Sequence, residues 1–384
     1  MHPIVKILVP LILAIAVFGS AKYLDENPRK IAAKESEETV AATETAEQET
    51  LAVPVTEAAT VPVETEAPTE SPTEASAQQE RFQITFVGDC TLGTGLNSYY
   101  ADVGFVKTVG NDYGYPFRNV IDYFTSDELT LLNLEGPLTD VGNPTEKQHT
   151  FRGPTEFVGI LTENSVEAVN LANNHVQDYG PSGYRTTVSV LKEENISYVE
   201  QDDSSIITTK NGLKIGLFGA VYYKLDTEKI VDGIASLKEQ GCDLVIFAPH
   251  WGTEGAYRAT PEQINLAHAV IDAGADIVWG THPHVLQPIE EYNGGVIFYS
   301  LGNFSFGGNT DPGDYDTALL QQELIRDAEG NLSLGELTIV PASVSSESGR
   351  NNFQPTPYES GTKEYDRVLR KLNGSWDGPD ITIQ

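Results

Sequence analysis

The sequence predicts an α/β fold for the roughly 300 residues that begin at Arg81. Two observations lead to this fold class. Short apolar runs of strand length alternate with segments that have helical spacing and helix-end signals, which is the pattern of an α/β sheet. The same region also contains nearly all of the aromatic residues and every histidine except His2, so it is the part of the chain that can build a core.

Seven apolar runs are predicted as strands because each has strand length and ends at a change to polar or turn-forming residues. They cover residues 84–88, 129–134, 168–172, 214–220, 243–249, 275–280 and 295–301. Helices are predicted between several of them, over 181–194, over 227–240, and from Thr260-Pro261 to Ala273-Gly274. The run "TALLQQELIRDAEGNLSLGELTIVPA" predicts two antiparallel strands joined by a turn at 328–331, at the edge of a second sheet.

The first 80 residues have a different character. Residues 1–22 carry an uncharged run after Lys6, which predicts a signal anchor or a cleaved signal peptide. We therefore expect the protein on the extracellular side of the cell membrane, held by a single N-terminal span, or secreted if the segment is cleaved. Residues 23–80, rich in Glu, Thr, Ala and Pro, predict a disordered acidic linker. Residues 81–345 form the predicted domain, and residues 346–384 a polar C-terminal tail.

Charge and motifs exclude several function classes. The formal net charge is −32, and no basic stripe is present, which argues against a nucleic-acid partner. The sequence has no G-x-S-x-G nucleophile elbow and no phosphate-binding loop of the P-loop kind. Hydrolase chemistry based on a serine elbow and nucleotide binding by a P-loop are therefore not indicated.

Polar side chains follow five of the predicted strands, where open α/β sheets place their chemistry. A set of imidazoles, carboxylates and an amide oxygen suits Mn²⁺, Fe or Zn²⁺ better than Ca²⁺, and it lacks the thiolates of a structural zinc site. The sequence therefore predicts a site for one or two divalent transition-metal ions. His149 and His268, in a loop and in a helix, are expected to be structural. The residues after the strands are Asp89, Glu135, Asn173, Asn174, His175, His250, His282 and His284.

The pair His282 and His284, in "GTHPHVLQPIE", is the most informative of these positions. Pro283 favours an extended conformation of the residue before it. Side chains at i and i+2 of an extended chain point to the same side. We therefore expect both imidazoles to face one crevice as metal ligands.

Six segments resemble the signature blocks of CapA/PgsA-type capsule proteins, the membrane-anchored components of bacterial poly-γ-glutamate synthesis. The blocks occur in the expected order between about residues 83 and 307, and they are "FVGDCTLG", "LLNLEGPLT", "VNLANNHVQDYG", "FAPHWGTE", "GTHPHVLQPIE" and "YSLGNFSF". That family is in turn similar to calcineurin-like metallophosphoesterases. The resemblance implies a two-sheet β-sandwich flanked by helices.

The resemblance also implies residue roles. Metal ligands would be Asp89, Glu135, Asn174, His250, His282 and His284, and His175 would assist catalysis, oriented by Asp178. The sequence departs from the phosphoesterase pattern at Thr91, where a histidine is usual, and at Glu135, where aspartate is usual. Loss of one ligand favours a single-metal site of Glu135, Asn174, His250 and His282 over a full two-metal site.

Two functions remain open at this point. One is a component of poly-γ-glutamate synthesis or export that works with membrane synthase subunits and guides an anionic polymer. The other is a metal-dependent hydrolase of a phosphoester or a γ-glutamyl bond in the cell envelope. An acidic domain repels polyglutamate unless metal ions or a basic patch such as Arg152 intervene.

Overall fold

The computed structural model describes residues 79–95 and 104–383. The predicted N-terminal segment 1–22 and residues 23–78 of the predicted linker lie outside these ranges. Within them, no helix has the length and apolar character needed to cross a membrane.

Sixteen strands and seven α-helices are present in the described ranges. The strands are β1 (Glu80–Thr91), β2 (Thr94–Gly95), β3 (Leu129–Leu134), β4 (Phe151–Arg152), β5 (Ala168–Asn170), β6 (Ser197–Val199), β7 (Ser204–Thr208), β8 (Lys214–Val221), β9 (Leu244–His250), β10 (Ile277–Trp279), β11 (Ile289–Tyr292), β12 (Gly295–Phe298), β13 (Asn303–Phe306), β14 (Asp316–Arg326), β15 (Leu332–Ser343) and β16 (Thr356–Pro357). The helices are α1 (Phe105–Val109), α2 (Ile121–Thr125), α3 (Val158–Thr162), α4 (Gly180–Glu193), α5 (Thr227–Glu239), α6 (Pro261–Asp272) and α7 (Lys363–Leu372).

The strands form two large sheets and one small one. The first has the order β16-β15-β14-β1-β3-β5-β6, and β13 also pairs with β1. The second has the order β11-β12-β10-β9-β8-β7, and β2 pairs with β4 in a separate ribbon. β1, β3, β5 and β6 run parallel to one another, as do β8, β9, β10 and β12. Parallel strands present their carboxyl ends at a common edge of the sheet, so each large sheet has one such edge.

Alternating side chains along the strands divide the core into layers. Phe86 of β1 points into the space between the two large sheets, where its ring lies 5.9 Å from Trp279 and 5.5 Å from Phe298. The next residue, Val87, belongs to a different buried cluster on the outer face of the first sheet. Successive strand residues point to opposite faces, so a strand buried on both faces reads as a continuous apolar run.

Helices cover the outer faces of both sheets. The cluster over the first sheet includes Phe105 of α1 and Leu191 of α4, and the cluster over the second includes Ile234 of α5 and Leu266 of α6. α6 begins with a capping box, in which the Thr260 hydroxyl accepts a hydrogen bond from the Gln263 backbone N–H. The result is a two-sheet sandwich between helices, which confirms the mixed α/β fold.

Two sequence expectations need correction. β1 is longer than predicted and continues to Thr91, so Asp89 lies inside the strand rather than after it. The antiparallel pair β14 and β15 exists with the predicted turn, but β14 pairs directly with β1 and therefore extends the first sheet. The hairpin sequence shows that two strands pair with each other, but it carries no information about the third strand beside them.

The segment 346–384, predicted as a polar tail, packs onto the domain. Phe353 is fully buried against the ring of Phe105, with centroids 5.4 Å apart. On α7, Lys371 is 2% exposed, and its ammonium donates hydrogen bonds to Asp314 and Asp316 at 2.6 and 2.7 Å. This helix is therefore attached to β14 through buried charges.

Asp127, two residues before β3, makes stability depend on pH. Burial raises the pKa of Asp127 to about 6, although the Thr130 hydroxyl donates a hydrogen bond to its carboxylate at 2.8 Å. Because the folded-state pKa lies above the unfolded value, this group's contribution favours folding below about pH 4 and is lost as the pH rises to 6. We expect Asp127→Asn to raise the free energy of unfolding by about 2 kcal/mol at pH 8 and to have little effect at pH 4.

Urea unfolding at both pH values measures this difference. Asp122→Asn is the matched control, because Asp122 lies on the neighbouring helix α2 and is exposed. An equal effect of Asp127→Asn at pH 4 and pH 8 would contradict the assignment.

Candidate metal centre

The predicted ligands meet where the carboxyl ends of the two parallel strand sets face each other. Asp89 comes from β1, Glu135 follows β3, and His250 ends β9. His282 and His284 lie in the loop after β10. All five side chains are buried, so the structure brings together groups that are up to 195 residues apart in the sequence.

Asp89 links both sheets to the centre. Its Oδ1 accepts a hydrogen bond from the Asn133 amide at 2.8 Å, and its Oδ2 accepts one from the His282 backbone N–H at 3.1 Å. The His284 Nδ1 lies 3.6 Å from Oδ2. Asp89 is therefore held in one orientation with its carboxylate toward the histidines.

A glycine beside Asp89 allows the close approach of another loop. The Asp89 N–H donates to the Gly302 carbonyl at 2.8 Å. A Cβ atom on Gly88 would lie 2.0 Å from that carbonyl oxygen, so any larger residue would force the two chains apart. The blocks "FVGD" and "SLGN" thus meet in space, and this contact brings Asn303 to the centre.

Among the predicted ligands, Glu135 is the carboxylate whose buried oxygens have no hydrogen bonds from the described residues. Its side chain is fully buried, and neither carboxylate oxygen has a hydrogen-bond partner among the described residues. The nearest imidazole nitrogens, on His284 and His175, lie 3.8 Å from Oε1. A buried carboxylate costs free energy unless a proton, a partner or a metal ion compensates it.

Thr91 stands where phosphoesterases usually have a histidine, and its hydroxyl is engaged elsewhere. It donates a hydrogen bond to the Glu135 backbone carbonyl at 2.9 Å, while the Glu135 N–H donates to the Cys90 carbonyl at 2.9 Å. Thr91 therefore fixes the backbone of Glu135, a predicted ligand. It does not supply a ligand itself.

The extended conformation predicted for the His282–His284 segment is wrong. His282 has φ 100° and His284 has φ 58°, so both lie in the left-handed half of the backbone map. Such values cost an L-residue about 1–3 kcal/mol and are retained where the surrounding structure imposes them. Here the His282 N–H is drawn to Asp89, and the His284 Nδ1 lies 2.8 Å from the Asn303 amide oxygen. Both imidazoles still reach the centre, with ring centroids 6.0 Å apart.

His250 lies between two other predicted ligands, Asn174 and His282. Its Nε2 lies 3.0 Å from the Asn174 side-chain oxygen and 3.1 Å from the His282 Nδ1, and its Nδ1 lies 3.0 Å from the Thr281 hydroxyl. Asn174 thus presents its amide oxygen toward the imidazoles. Asn173, the neighbouring amide, has a backbone role, because its Oδ1 accepts from the His175 N–H at 3.1 Å and its amide donates to the Leu134 carbonyl at 2.9 Å.

The ionisation of the centre fits a cation. Burial, followed by the nearby charges of Asp89 and Glu254, raises the pKa of Glu135 well above its usual range. Burial also raises the pKa of Asp89. Burial and the neighbouring His284 lower the pKa of His282 to about 3, and burial and the neighbouring His282 hold the pKa of His250 well below its ordinary value. Neutral imidazoles are the form that binds a transition metal, and the raised pKa values of the two carboxyl groups show that their buried negative charge needs a proton or a cation beside it.

Two groups of side chains within the described residues have the spacing of a metal site. Asp89, Glu135 and His284 form one group, and Glu254, His282 and His284 form the other, with the ligand atoms in each within 4.8 Å of one another. His284 belongs to both. The number of ions therefore depends on whether both groups bind a cation.

Sequence reasoning did not assign a role to three residues of this centre. Asn133 had a detectable signal, because it is a polar residue in the otherwise apolar end of "LTLLNL". Glu254 and Asn303 follow predicted strands, but their positions alone do not show which way they point. Asn133 donates a hydrogen bond to Asp89, and the Asn303 amide oxygen lies 2.8 Å from His284 Nδ1. A carboxylate oxygen of Glu254 lies within 4.8 Å of ring nitrogens of His282 and His284.

His175 and Asp178 form a second functional unit beside the ligands. The His175 Nδ1 lies 2.7 Å from the Asp178 Oδ2, and the opposite ring nitrogen faces Glu135 at 3.8 Å. Asp178 is fully buried and also accepts hydrogen bonds from the Lys147 ammonium and the Phe151 N–H, each at 2.8 Å. Burial lowers the pKa of His175, an effect that is partly offset by the hydrogen bond that its Nδ1–H donates to Asp178. The imidazole is therefore neutral near pH 7 and oriented by its partner.

Residues 83–308 match the family described as bacterial capsule synthesis protein PGA_cap. This segment contains all eight residues predicted for the site. The chain belongs to the PGA_cap family. The match confirms the resemblance to CapA/PgsA-type proteins.

Curated relatives agree with this membership. The Bacillus anthracis "Capsule biosynthesis protein CapA" is 32% identical over 77% of this chain and 74% of its own length. The Bacillus subtilis "PGA biosynthesis protein CapA" is 30% identical over 77% of this chain and 80% of its own length. Among solved structures, a Haemophilus influenzae NAD nucleotidase is remotely similar, with 15% identity and a TM-score of 0.41 over 78% of this chain and 63% of that chain.

Proposed function

We propose that this PGA_cap protein is an exported component of capsule biosynthesis that acts on poly-γ-glutamate during its synthesis or export. Two relatives that align over most of both chains carry capsule or polyglutamate biosynthesis names. The observation that carries a chemical role is the buried Glu135 carboxylate, which has no hydrogen-bond partner among the described residues and lies beside Asp89 and His284. Such a group is retained where it binds a cation.

The ligand set suits one or two ions of Mn, Fe or Zn. Asp89, Glu135, Asn174, His250, His282 and His284 would hold them. A bound ion would supply a hydroxide at neutral pH and would polarise the bond to be cleaved. Glu135 would then have the cation that its buried charge lacks.

The His175–Asp178 pair favours hydrolysis over polymer binding alone. Asp178 holds the proton on Nδ1 of His175, which leaves Nε2 on the side of Glu135 free to take or give a proton. A guiding surface would not need an imidazole fixed in this way. The bond cleaved would be a γ-glutamyl amide or a phosphoester, and Nε2 of His175 would take a proton from the attacking water and return it to the leaving group.

Turnover and capsule formation test this proposal together. We expect His175→Ala to lower kcat for a γ-glutamate oligomer or a generic phosphodiester by about 100-fold or more, because a positioned acid–base group contributes that much. In a strain lacking the gene, the same variant should fail to restore cell-bound polymer. His268→Ala is the control, because His268 pairs with Glu290 at 2.9 Å and stacks on Tyr292 outside the site. Full capsule with His175→Ala would exclude a catalytic role.

Residues 1–22 are proposed to anchor the protein at the outer face of the membrane, beside polyglutamate synthase subunits. Deleting these residues distinguishes a hydrolase from an assembly component of the synthase. A hydrolase should keep its activity in solution, whereas an assembly component should lose its function in the cell. Retention of cell-bound capsule by the truncated protein would contradict the anchoring role.

A further inference from the structure

A cavity of about 600 Å³ opens beside the His175–Asp178 pair. Its inner wall contains Asn174 and His175 of the candidate site. Its outer wall contains residues that the metal centre does not use, namely Thr145, Lys147, His149, Tyr222 and Tyr223. The cavity therefore leads from the surface to the groups proposed to act on the substrate.

Lys147 places a positive charge at this cavity. Its ammonium donates to Asp178 Oδ1 at 2.8 Å and also to the Asn174 carbonyl, while the side chain stays 39% exposed. An ammonium has three donors, so one remains for a ligand. The sequence suggested Arg152 as a basic patch, but the Arg152 guanidinium packs 4.8 Å over the Tyr179 ring and does not line this cavity. Lys147 is the cation that an anionic substrate would meet.

Two further polar residues, Thr145 and His149, line the same cavity. The Thr145 hydroxyl is buried and has no hydrogen-bond partner among the described residues. His149 is exposed, and its ring lies nearly parallel to that of Phe151, 6.5 Å away. Phe151 in turn contacts the ring of His175 at 4.6 Å. His149 is thus close to the acid–base residue, which is not expected of a purely structural loop histidine.

The charge changes sign across the site. A smaller cavity, of about 70 Å³, shares His149 and His175 with the first but is also lined by Glu254 and Asp314. In a chain with net charge −32, an anionic group is repelled from this second side and attracted to the side of Lys147. The opposite charges of the residues that line the two cavities would therefore set the orientation of a charged substrate.

The outer wall also offers apolar surface. Tyr222 is 44% exposed and stacks on His282 with centroids 4.6 Å apart, and Tyr223 is 58% exposed beside it. Polymers that alternate methylene groups with carboxylates can pack the methylenes on such rings while their charges reach the donors. No described residue lining the cavity is an arginine, the side chain that most favours bidentate phosphate binding.

The geometry points to the larger cavity as the subsite for an α-carboxylate of a γ-linked glutamate chain, next to the bond on which the site acts. Lys147, Thr145 and His149 are its positioning residues, and Tyr222 supports the methylene segment. This assignment rests on the proposed function for its substrate, although binding and turnover can be measured separately.

Equilibrium binding of a γ-linked glutamate pentamer to the full-length, metal-free protein tests the subsite without turnover. We expect His149→Ala and Thr145→Val each to weaken binding about tenfold, since a hydrogen bond to a charged group contributes about that much. Thr145→Val is the sharper variant, because it removes an unpartnered hydroxyl at almost constant volume and should leave the melting temperature unchanged or slightly higher. In turnover assays both variants should raise KM with little change in kcat.

His268→Ala should bind the pentamer like the wild type, because His268 lies outside both cavities. Wild-type affinity in both His149→Ala and Thr145→Val, or no binding to the wild type at millimolar pentamer, would overturn the subsite. Stronger binding of inorganic polyphosphate, weakened by the same variants, would instead assign the cavity to a phosphate polymer. Pentamer binding with no hydrolysis after the protein is loaded with Mn²⁺ or Zn²⁺ would keep the subsite and refute the hydrolase.

Discussion

Glu135→Gln is expected to abolish the rise in melting temperature that Mn²⁺ or Zn²⁺ produces in the wild-type protein. An ion that binds only the folded state at about 1,000 times its Kd stabilises it by about 4 kcal/mol, which corresponds to roughly 8 °C for a domain of this size. Glu135 contributes two carboxylate oxygens that no described residue compensates. Without them the Asp89–Glu135–His284 group loses one of its three ligands.

The same substitution should raise the melting temperature of the metal-free protein. A neutral amide removes a buried carboxylate whose pKa is raised by burial and by the negative charge of Asp89. Opposite effects in the metal-free and metal-loaded states distinguish a ligand from a residue needed only for packing. Thermal melts with and without metal provide the measurement, and elemental analysis of both proteins gives the stoichiometry.

Glu290→Gln is the matched control for this experiment. Glu290 is also a carboxylate beside a histidine, 2.9 Å from the Nε2 of His268, but it lies outside the metal centre. It should keep the full response to metal. If Glu135→Gln responds to metal like the wild type, or if the wild type shows no response, Glu135 is not a ligand.

The largest loss of stability is expected from Lys371→Ala. Lys371 is 2% exposed and donates to Asp314 and Asp316 at 2.6 and 2.7 Å. Arg367 also bonds Asp316, at 2.6 and 2.7 Å. Removing Lys371 takes the ammonium away from Asp314 and leaves Asp316 with Arg367 alone, and breaking a buried ion pair in this way costs about 3–5 kcal/mol. Because the network joins α7 to β14, the C-terminal helix should detach from the first sheet at lower denaturant.

Urea unfolding of three variants resolves the origin of this effect. Lys371→Met keeps most of the side-chain volume and should be nearly as destabilising as Lys371→Ala, which would identify the lost charge as the cause. Lys363→Ala, at the other end of α7, removes a lysine that is 87% exposed and should change the free energy of unfolding by less than about 0.5 kcal/mol. A loss below about 1 kcal/mol in Lys371→Ala would contradict the role of the network.

Most of the strands were predictable because they are buried on both faces. "LTLLNL" is β3 without change, and the runs at 214–220 and 243–249 are β8 and β9 to within one residue at either end. An apolar run of that length has few alternatives once helical periodicity is absent. The helices α4, α5 and α6 followed for a similar local reason, because Gly180-Pro181 begins α4, Gly241 follows α5, and Thr260-Pro261 begins α6.

The location of the site was predictable from topology, since parallel strands present their carboxyl ends at one edge. The geometry within the site was not predictable from the sequence. The sequence placed Thr91 at the position of a missing ligand, but only the fold shows that its hydroxyl bonds the Glu135 carbonyl. The backbone at His282 was mispredicted because local preference favours extension before proline, whereas the distant Asp89 holds the N–H of His282 in a left-handed conformation.

The sequence alone determined the fold class, the family and the set of side chains available for metal binding, because these depend on local periodicity and on residue type. Tertiary structure decided which of those side chains have partners. It left the Glu135 carboxylate uncompensated, and it placed His149 and Lys147 around one cavity while Arg152 packs elsewhere. Such outcomes depend on contacts between residues far apart in the chain, and no local pattern encodes them.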